Sequence, residues 1–177
     1  GKQYTREKSV TVSARSLTSS GISVSTIANQ TYTGSAIKPS VTIKDGTKTL
    51  VSGTDYSVSY SSNTNVGTAT ATITGMGNYS GTVSAKFTIL AKSISGATIS
   101  SIADQTYTGS AIKPSVTVKD GTKTLVSGTD YTVSYSSNTN AGTATATVTC
   151  KGNYSGTVSV KFTILAKSIS GATISSI

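Results

Sequence analysis

The residue types that most often carry chemistry are scarce in this chain. It has 177 residues and no His, so the commonest proton shuttle and metal ligand is absent. One Cys cannot form a disulfide within the chain or a cysteine-based zinc site. Among 32 Ser and 33 Thr, no hydroxyl stands out as an activated nucleophile. The composition therefore predicts no catalytic residue, no metal site and no cofactor.

The single cysteine, Cys150, has two interpretations. It continues the inward phase of Ala144, Ala146 and Val148, which predicts a small packed side chain at the end of a strand. The adjacent Lys151 would instead favour a reactive or dimer-forming thiol, which needs an exposed and electropositive setting. We favour the packing role.

Two of the six acidic residues, Asp55 and Asp130, lie in a repeated GTDY motif. Each is expected either to cap the backbone of the preceding turn or to supply oxygen to Ca²⁺. The side chains that would complete such calcium sites are Asn63 and Asn65, and Asn138 and Asn140. The Asp-x-Asn alternation of a calcium-wrapping loop is absent, so we favour the capping role.

Tyr79 and Tyr154 are the only candidate ligand-binding residues. Each follows a Gly-Asn turn, where an exposed ring would offer a platform for a sugar. Packing in the core is the alternative role, and the one we favour. In contrast, Tyr56 and Tyr60 alternate with Val58 and are predicted to lie in the core.

An internal repeat of 75 residues organises the chain, because residues 18–92 and 93–167 align without a gap and are identical at 61 positions. Residues 168–177 repeat residues 93–102 without a difference. We therefore predict the last strand or strands of a preceding repeat over 1–17 and the first strand of a following repeat over 168–177, with whole repeats over 18–92 and 93–167.

Within each repeat, apolar residues alternate with Ser and Thr at period two, which predicts half-buried strands and no helix. The Asp-Gly pairs at 45–46 and 120–121 predict tight hairpins, and Pro39 and Pro114 are placed at the start of a strand. About six or seven short strands per repeat, with frequent turns, predict an all-β fold of the β-sandwich type. The inward faces expected in the second copy are Tyr131, Val133 and Tyr135; Ala144, Ala146 and Val148; and Val158, Val160, Phe162 and Ile164.

The words TYTGSAIKPSV, VSGTDYTVSY, NTNAGTATATVT and GNYSGTVSVKFTI resemble the tandem bacterial immunoglobulin-like repeats of secreted and cell-surface proteins of Gram-positive gut Firmicutes. The resemblance covers essentially the whole chain, although the second copy has Cys150 and Lys151 where the first has Gly75 and Met76. It implies tandem immunoglobulin-like β-sandwich domains and an extracellular, cell-surface or cell-wall location. It brings no catalytic motif.

The net charge of +9 is spread along the chain and forms no Arg cluster with interleaved aromatics, so we expect no binding to nucleic acid. Weak attraction to an anionic cell-wall polymer or to mucin is the more plausible consequence of this charge. No apolar run reaches the roughly 18–20 residues that span a bilayer, and residues 1–20 contain no hydrophobic signal-peptide core. We expect no membrane insertion.

These observations lead to the hypothesis of a non-catalytic extracellular stalk or spacer whose partners are the neighbouring repeats of the same chain. One alternative is an adhesin repeat that binds a host macromolecule, such as a mucin glycan or glycoprotein or an immunoglobulin, with avidity from tandem copies. Another is an accessory module of a large secreted hydrolase.

Overall fold

The computed structural model describes residues 8–173, which form strands and turns and contain no helix. The chain divides into two compact units, Gly1–Leu90 and Ala91–Ile177. The prediction of an all-β chain is thereby confirmed for the described residues.

The first unit contains a four-stranded sheet, a three-stranded sheet and a two-stranded pair. Its strands are β1 (Arg15–Ser16), β2 (Ile22–Val24), β3 (Gln30–Thr31), β4 (Ile43–Asp45), β5 (Lys48–Thr49), β6 (Tyr56–Ser61), β7 (Gly67–Gly75), β8 (Tyr79–Ser80) and β9 (Thr82–Leu90). The larger sheet has the order β3-β9-β7-β6 and the smaller one β2-β4-β5. The pairs β1–β8 and β3–β9 are parallel, and the other pairings are antiparallel.

The second unit repeats this arrangement. Its strands are β10 (Lys92–Ser93), β11 (Thr98–Ile99), β12 (Gln105–Thr106), β13 (Val118–Asp120), β14 (Lys123–Thr124), β15 (Tyr131–Ser136), β16 (Gly142–Cys150), β17 (Tyr154–Ser155) and β18 (Thr157–Leu165). The sheets have the orders β12-β18-β16-β15 and β11-β13-β14, and β10 pairs with β17 in parallel. Each strand therefore has a counterpart in the first unit.

The alternation of apolar and hydroxyl residues produces the faces that the sequence predicts. In the central strand β16, Ala144, Ala146 and Val148 are fully buried, whereas Thr143 and Thr149 on the other face are exposed. Strand β18 alternates in the same way and buries Phe162 and Ile164. Because successive side chains of a strand point to opposite faces, one face of the four-stranded sheet forms the core and the other is rich in hydroxyl groups.

The predicted hairpins join β4 to β5 and β13 to β14. Asp45 pairs with Lys48, so the two-residue loop is Gly46–Thr47, one residue later than the Asp-Gly signal. Gly46 has a φ of 57°, and its counterpart Gly121 has a φ of 58°. A type II′ turn places Gly at its first central position, which explains why this glycine is needed.

The segment between β3 and β4 is held by side chains and not by a strand ladder. The Tyr56 hydroxyl donates to the Val41 carbonyl at 2.8 Å, and the Tyr60 hydroxyl donates to the Pro39 carbonyl. The Asn63 amide donates to the Ile37 carbonyl at 2.9 Å, and the Ile37 N–H returns a bond to the Asn63 carbonyl at 2.8 Å. These tethers replace pairing, so β4 begins at Ile43 and not at Pro39, and in the second unit β13 begins at Val118 and not at Pro114.

The first strand of each unit lies at the start of the repeat that the alignment defines. Arg15–Ser16 pairs with β8, and Leu17 lies in the core of the first unit with 2% of its surface exposed. In the second unit Lys92–Ser93 and the buried Ile94 occupy the equivalent place. Thr18 thus comes two residues after the end of β1, and Ser93 is the last residue of β10.

Candidate functional surfaces

The two predicted ligand-binding candidates, Tyr79 and Tyr154, are buried in their units, with 7% and 3% of their surfaces exposed. Tyr79 belongs to the hydrophobic core cluster of the first unit together with Leu17 and Ile43. A ring that stacks on a sugar must present one face to solvent. In this structure neither ring is available as such a platform.

Charged groups surround Tyr79 in the first unit. The Lys48 Nζ lies 5.4 Å from the ring centroid, within the range of a cation–π contact. The Tyr79 hydroxyl lies 3.4 Å from Asp45 Oδ2, and the same oxygen lies 3.1 Å from Arg15 Nε. This cluster joins β1, β4, β5 and β8, so we assign it a structural role.

The second unit has a cluster of the same kind. Lys123 lies 5.4 Å from the Tyr154 ring centroid, and Lys92 Nζ lies 2.8 and 2.6 Å from the two carboxylate oxygens of Asp120. The Lys92 side chain is 42% exposed, so water screens this ion pair and its contribution is about 0–1 kcal/mol. The ion pair links β10 to β13 and contributes little to the stability of the unit.

Asp55 and Asp130 cap turns, as favoured from the sequence. Asp55 Oδ2 accepts the Val51 N–H at 2.9 Å, and Asp130 Oδ2 accepts the Val126 N–H at 2.9 Å. The amide of Asn63, which would join Asp55 in a calcium site, instead donates to the Ile37 carbonyl. Across residues 8–173, no group of three or more His, Cys, Asp or Glu side chains converges on a point that could hold a metal ion.

Cys150 ends β16, opposite Tyr131, and is half-buried. Burial raises the pKa of the thiol, and the nearby negative charge of Asp130 raises it further. The thiol is therefore protonated at neutral pH, which is the opposite of the thiolate that a reactive cysteine requires.

A polar depression forms at the same turn in both units. It has a volume of about 410 Å³ where residues 62–68 line it and about 380 Å³ where residues 137–143 line it. Ser62 and Ser137 open these turns with a φ of 53°, an uncommon conformation for a residue with a side chain. The sequence identified SSNTN only as a turn, and only the folded turn reveals a concave surface.

An apolar groove of about 730 Å³ lies in the second unit. Tyr107 and Ala141 line one part of it and are joined by the segment that follows β18, including Ala166 and Ile169. Tyr107 is 37% exposed and Ile169 is 83% exposed. No local sequence pattern predicts this groove, because Tyr107, Ala141 and the segment after β18 are far apart in the chain.

Residues 8–173 include no helix of the length and apolarity needed to cross a membrane. No model of a known protein family matches the chain, and comparison with curated proteins finds no significant relative.

Proposed function

We propose that this chain is a segment of a tandem array of bacterial immunoglobulin-like β-sandwich domains and that it serves as a non-catalytic spacer in an extracellular, cell-surface protein. We propose this family because the repeated sequence motifs of the chain resemble those of such arrays. We propose an array because the sequence repeats with a period of 75 residues. The all-β units agree with both.

The observation that carries this proposal is that the side chains best suited to catalysis or binding are bonded or buried within their own units. Asp45, Asp55 and Asp120 are engaged in ion pairs or turn caps within their units, and the Cys150 thiol is held protonated. Tyr79 and Tyr154 are core residues. Side chains committed to holding strands together support a mechanical role better than a catalytic one.

The dimensions of the strands suit a spacer. The central strands β7 and β9 each contain nine residues, which corresponds to a length of about 30 Å per unit at a rise of roughly 3.3 Å per residue. Their outward faces carry Ser and Thr, with an occasional Lys such as Lys86. Such hydroxyl-rich faces keep the outer surface of the sheet hydrated and discourage association between copies.

Small-angle X-ray scattering on the purified chain tests the spacer role. Two units placed end to end predict a radius of gyration of about 21 Å, whereas one compact body of this length predicts about 16 Å. A value near the compact limit would contradict an extended spacer. A chain lacking residues 91–177 provides the single-unit reference and is expected near 12 Å.

The duplicated polar depression favours a second candidate function, an adhesin repeat that binds a host macromolecule. Both copies are lined by the same turn sequence apart from Val66 in the first and Ala141 in the second. Two weak sites on one chain gain avidity if their ligand spans them. A glycan or glycoprotein such as mucin, or an immunoglobulin, would have to present a repeated epitope.

Binding to mucin, immunoglobulins and isolated Gram-positive cell wall at physiological salt tests this second candidate. Replacing Thr64 and Thr139 with Lys fills both depressions, and Ser59→Lys with Ser134→Lys adds the same charge to exposed strand positions as a control. Saturable binding that the first pair abolishes and the control pair preserves would support the adhesin. No saturable binding to any ligand would leave the spacer as the working function.

A further inference from the structure

Strands β6 and β15 form one edge of the four-stranded sheet in their units, since each has a single neighbouring strand. They read YSVSYS and YTVSYS and contain no charged residue, proline or glycine. Other edges are protected in the usual ways, by shortness, by lysine or by a covering strand. Strand β5 has two residues, one of them Lys48, and β9 carries Lys86 and is covered by β3 at its end. Strands β6 and β15 are six-residue edges without such protection.

The hydrogen bonds at the start of β6 show which of its backbone groups point away from β7. The Met76 N–H donates to the Asp55 carbonyl at 2.8 Å, so Asp55 directs its carbonyl toward β7. This direction alternates along an antiparallel strand, and Tyr56, Val58 and Tyr60 therefore direct their N–H and C=O groups to the open side. The Tyr56 carbonyl accepts an N–H of the preceding turn at 2.7 Å. Among residues 8–173, no backbone hydrogen bond reaches Val58 or Tyr60 from the open side.

The edge of the second unit has the same pattern. The Lys151 N–H donates to the Asp130 carbonyl at 2.9 Å, and the Tyr131 carbonyl accepts an N–H of the preceding turn at 2.8 Å. Within the described part of the chain, Val133 and Tyr135 are left without a backbone partner on the open side. Each chain thus presents twice a set of two donors and two acceptors on residues that are two positions apart.

The side chains of β6 suit the addition of a strand at this edge. Val58 and Tyr60 are only half-buried, where they pack against the core cluster from its margin. Ser57 and Ser59 are exposed on the opposite face. A strand placed beside β6 would cover the rest of the apolar side chains, and it would meet only small hydroxyl groups on the other face. No charge of β6 would lose its water.

We propose that β6 and β15 are self-association edges, at which each strand pairs antiparallel with the same strand of a second copy of this chain. The pairing is centred on Ser59 in β6 and on Ser134 in β15. Val58 of one copy lies opposite Tyr60 of the other, and the two residues exchange both of their backbone hydrogen bonds. The contact is two-fold symmetric, so it contains four such bonds and uses the same patch on both copies.

The free backbone groups select this register. Sliding the strands by two residues would place Tyr60 opposite Tyr56, whose carbonyl already accepts a bond from the preceding turn. With the pairing centred on Ser59, all the free donors and acceptors of both copies are used. Val58 opposite Tyr60 is a β-branched and aromatic pair, which stabilises neighbouring strands.

Edge pairing differs from the stacking of sheet faces. It joins two sheets side by side and leaves their hydroxyl-rich faces in water. The area covered is small, so the association is weak and transient. The strands end before the polar depressions at residues 62–68 and 137–143, and this interaction is therefore separate from both proposed functions. Ligand binding is accordingly measured at chain concentrations too low for edge pairing.

Oxidative cross-linking tests the register, with Cys150→Ser in every chain to remove the native thiol. Opposed residues that exchange no hydrogen bonds lie about 4.5 Å apart at Cα, within the range of a disulfide, so Ser59→Cys should form dimers roughly tenfold faster than Ser57→Cys. Two copies of residue 57 are four positions apart, or about 13 Å. Ser84→Cys, at an exposed position of β9, gives the rate of random collision.

A mixture of Ser57→Cys and Ser61→Cys chains checks the register independently, because these two positions lie opposite each other across the contact. Heterodimers are expected to exceed both homodimers. Ser59→Cys dimers that form no faster than Ser84→Cys dimers would overturn the proposal. A mixture without an excess of heterodimers would overturn the register.

Sedimentation of the full chain measures the association itself. Ser59→Asp with Ser134→Asp places like charges opposite each other at both edges, and it lowers the net charge from +9 to +7. The apparent Kd is expected to rise about fivefold or more, although the lower net charge alone would favour association. Ser84→Asp with Ser159→Asp makes the same change of charge at exposed positions of β9 and β18 and should not raise the Kd. Equal effects of the two pairs, or a parent chain that stays monomeric up to roughly 1 mM, would overturn the proposal.

Discussion

The two repeats differ at 14 of 75 aligned positions, yet the central strands of the two units pair in the same register. Ile73 and Val148 occupy the same place in the middle strand and are both fully buried. The tethering bonds of Tyr56 to Val41 and of Tyr131 to Val116 measure 2.8 and 2.7 Å. The fold therefore accepts a one-methylene change in the core while the hydrogen bonds that hold the irregular segment stay the same.

The comparison also shows where the backbone is less tolerant. A side chain at Gly75 would lie 2.6 Å from the Ser80 amide nitrogen, yet the second unit carries Cys150 at this position. The following turn is looser there, since the Tyr154 amide lies 3.3 Å from the Lys151 carbonyl and the Tyr79 amide lies 3.0 Å from the Met76 carbonyl. One extra side chain is accommodated by an opened turn.

The largest difference between the units is expected from truncation of the shared core position. Ile73→Ala should lower the free energy of unfolding of the first unit by about 2–5 kcal/mol, and Val148→Ala should cost the second unit about 1 kcal/mol less because fewer buried atoms are removed. Urea titration with hydrogen exchange assigns each loss to a unit. Ser59→Ala at an exposed position is the control. Equal losses of unfolding free energy at Ile73 and Val148 would contradict the expected difference between the units.

A smaller difference is expected at the turn. Gly75→Ala should destabilise the first unit by about 1–3 kcal/mol, since its backbone must move away from the new methyl group. Cys150→Ala should change the second unit by less than about 1 kcal/mol, because the turn there is already open. The midpoints of denaturant unfolding measure both. A Gly75→Ala variant that unfolds at the same denaturant concentration as the parent would show that the turn at Met76–Tyr79 opens without cost.

The two turn-capping aspartates are expected to stabilise their units to different extents, because they differ in burial. Asp55→Ala should cost about 1–2 kcal/mol, because the Val51 N–H loses its partner in a site where Asp55 is only 7% exposed. Asp130→Ala should cost less, since its bond to Val126 is more exposed. Thermal unfolding of both variants, with exposed Asp104→Ala as the matched control, measures this. A larger loss at Asp130 would mean that burial does not set the strength of the cap.

Both units are expected to lose stability at alkaline pH for the same reason. Burial, followed by the neighbouring tyrosine, raises the pKa of Tyr60 and of Tyr135 above 10.0. The unfolded chain then releases its phenolic protons first, so stability is full below the unfolded pKa of about 10 and falls as pH rises through the folded pKa. Tyr60→Phe and Tyr135→Phe should flatten the pH dependence of Tm above pH 10 in their own units. A slope that neither variant changes would contradict this account.

The smallest effect is kinetic and belongs to the second unit alone. Because the pKa of the Cys150 thiol is raised, its alkylation by iodoacetamide should be slower at neutral pH than that of a free cysteine peptide. The rate should rise with pH along a curve displaced to higher pH than that of the peptide. Asp130→Asn should move the curve toward lower pH, and an unchanged curve would show that the carboxylate has no influence on the thiol.

Much of the fold could be predicted from local patterns. The alternation of apolar and hydroxyl residues predicted the inward faces of β7, β9, β16 and β18. The Asp-Gly pairs predicted the positions of the hairpins. The capping role of Asp55 also followed from its place after a Gly-Thr turn. In each case the residues that interact are close in sequence or follow a simple period.

The remaining features depend on contacts between distant residues. The parallel pairs β1–β8 and β3–β9 contain two residues each, too short to leave a periodic signal. Burial of Tyr79 depends on residues distant in sequence, such as Leu17 and Ile43, whereas its place after a Gly-Asn turn was compatible with exposure. The segment from Tyr32 to Thr42 contains residues suited to a strand, yet tyrosine hydroxyls and an asparagine hold it instead.

The parallel pair β3–β9 has a consequence for tension. Strand β9 leads out of the first unit at Leu90, and β3 is reached from the amino-terminal side through β1 and β2. Once β1 and β2 have separated from β8 and β4, a pull on the two ends of the unit draws β3 and β9 in opposite directions along a shared axis. The bonds between them, including that from the Tyr32 N–H to the Leu90 carbonyl at 2.9 Å, are then strained together and not one after another. The unit therefore resists stretching through shear between the parallel strands β3 and β9.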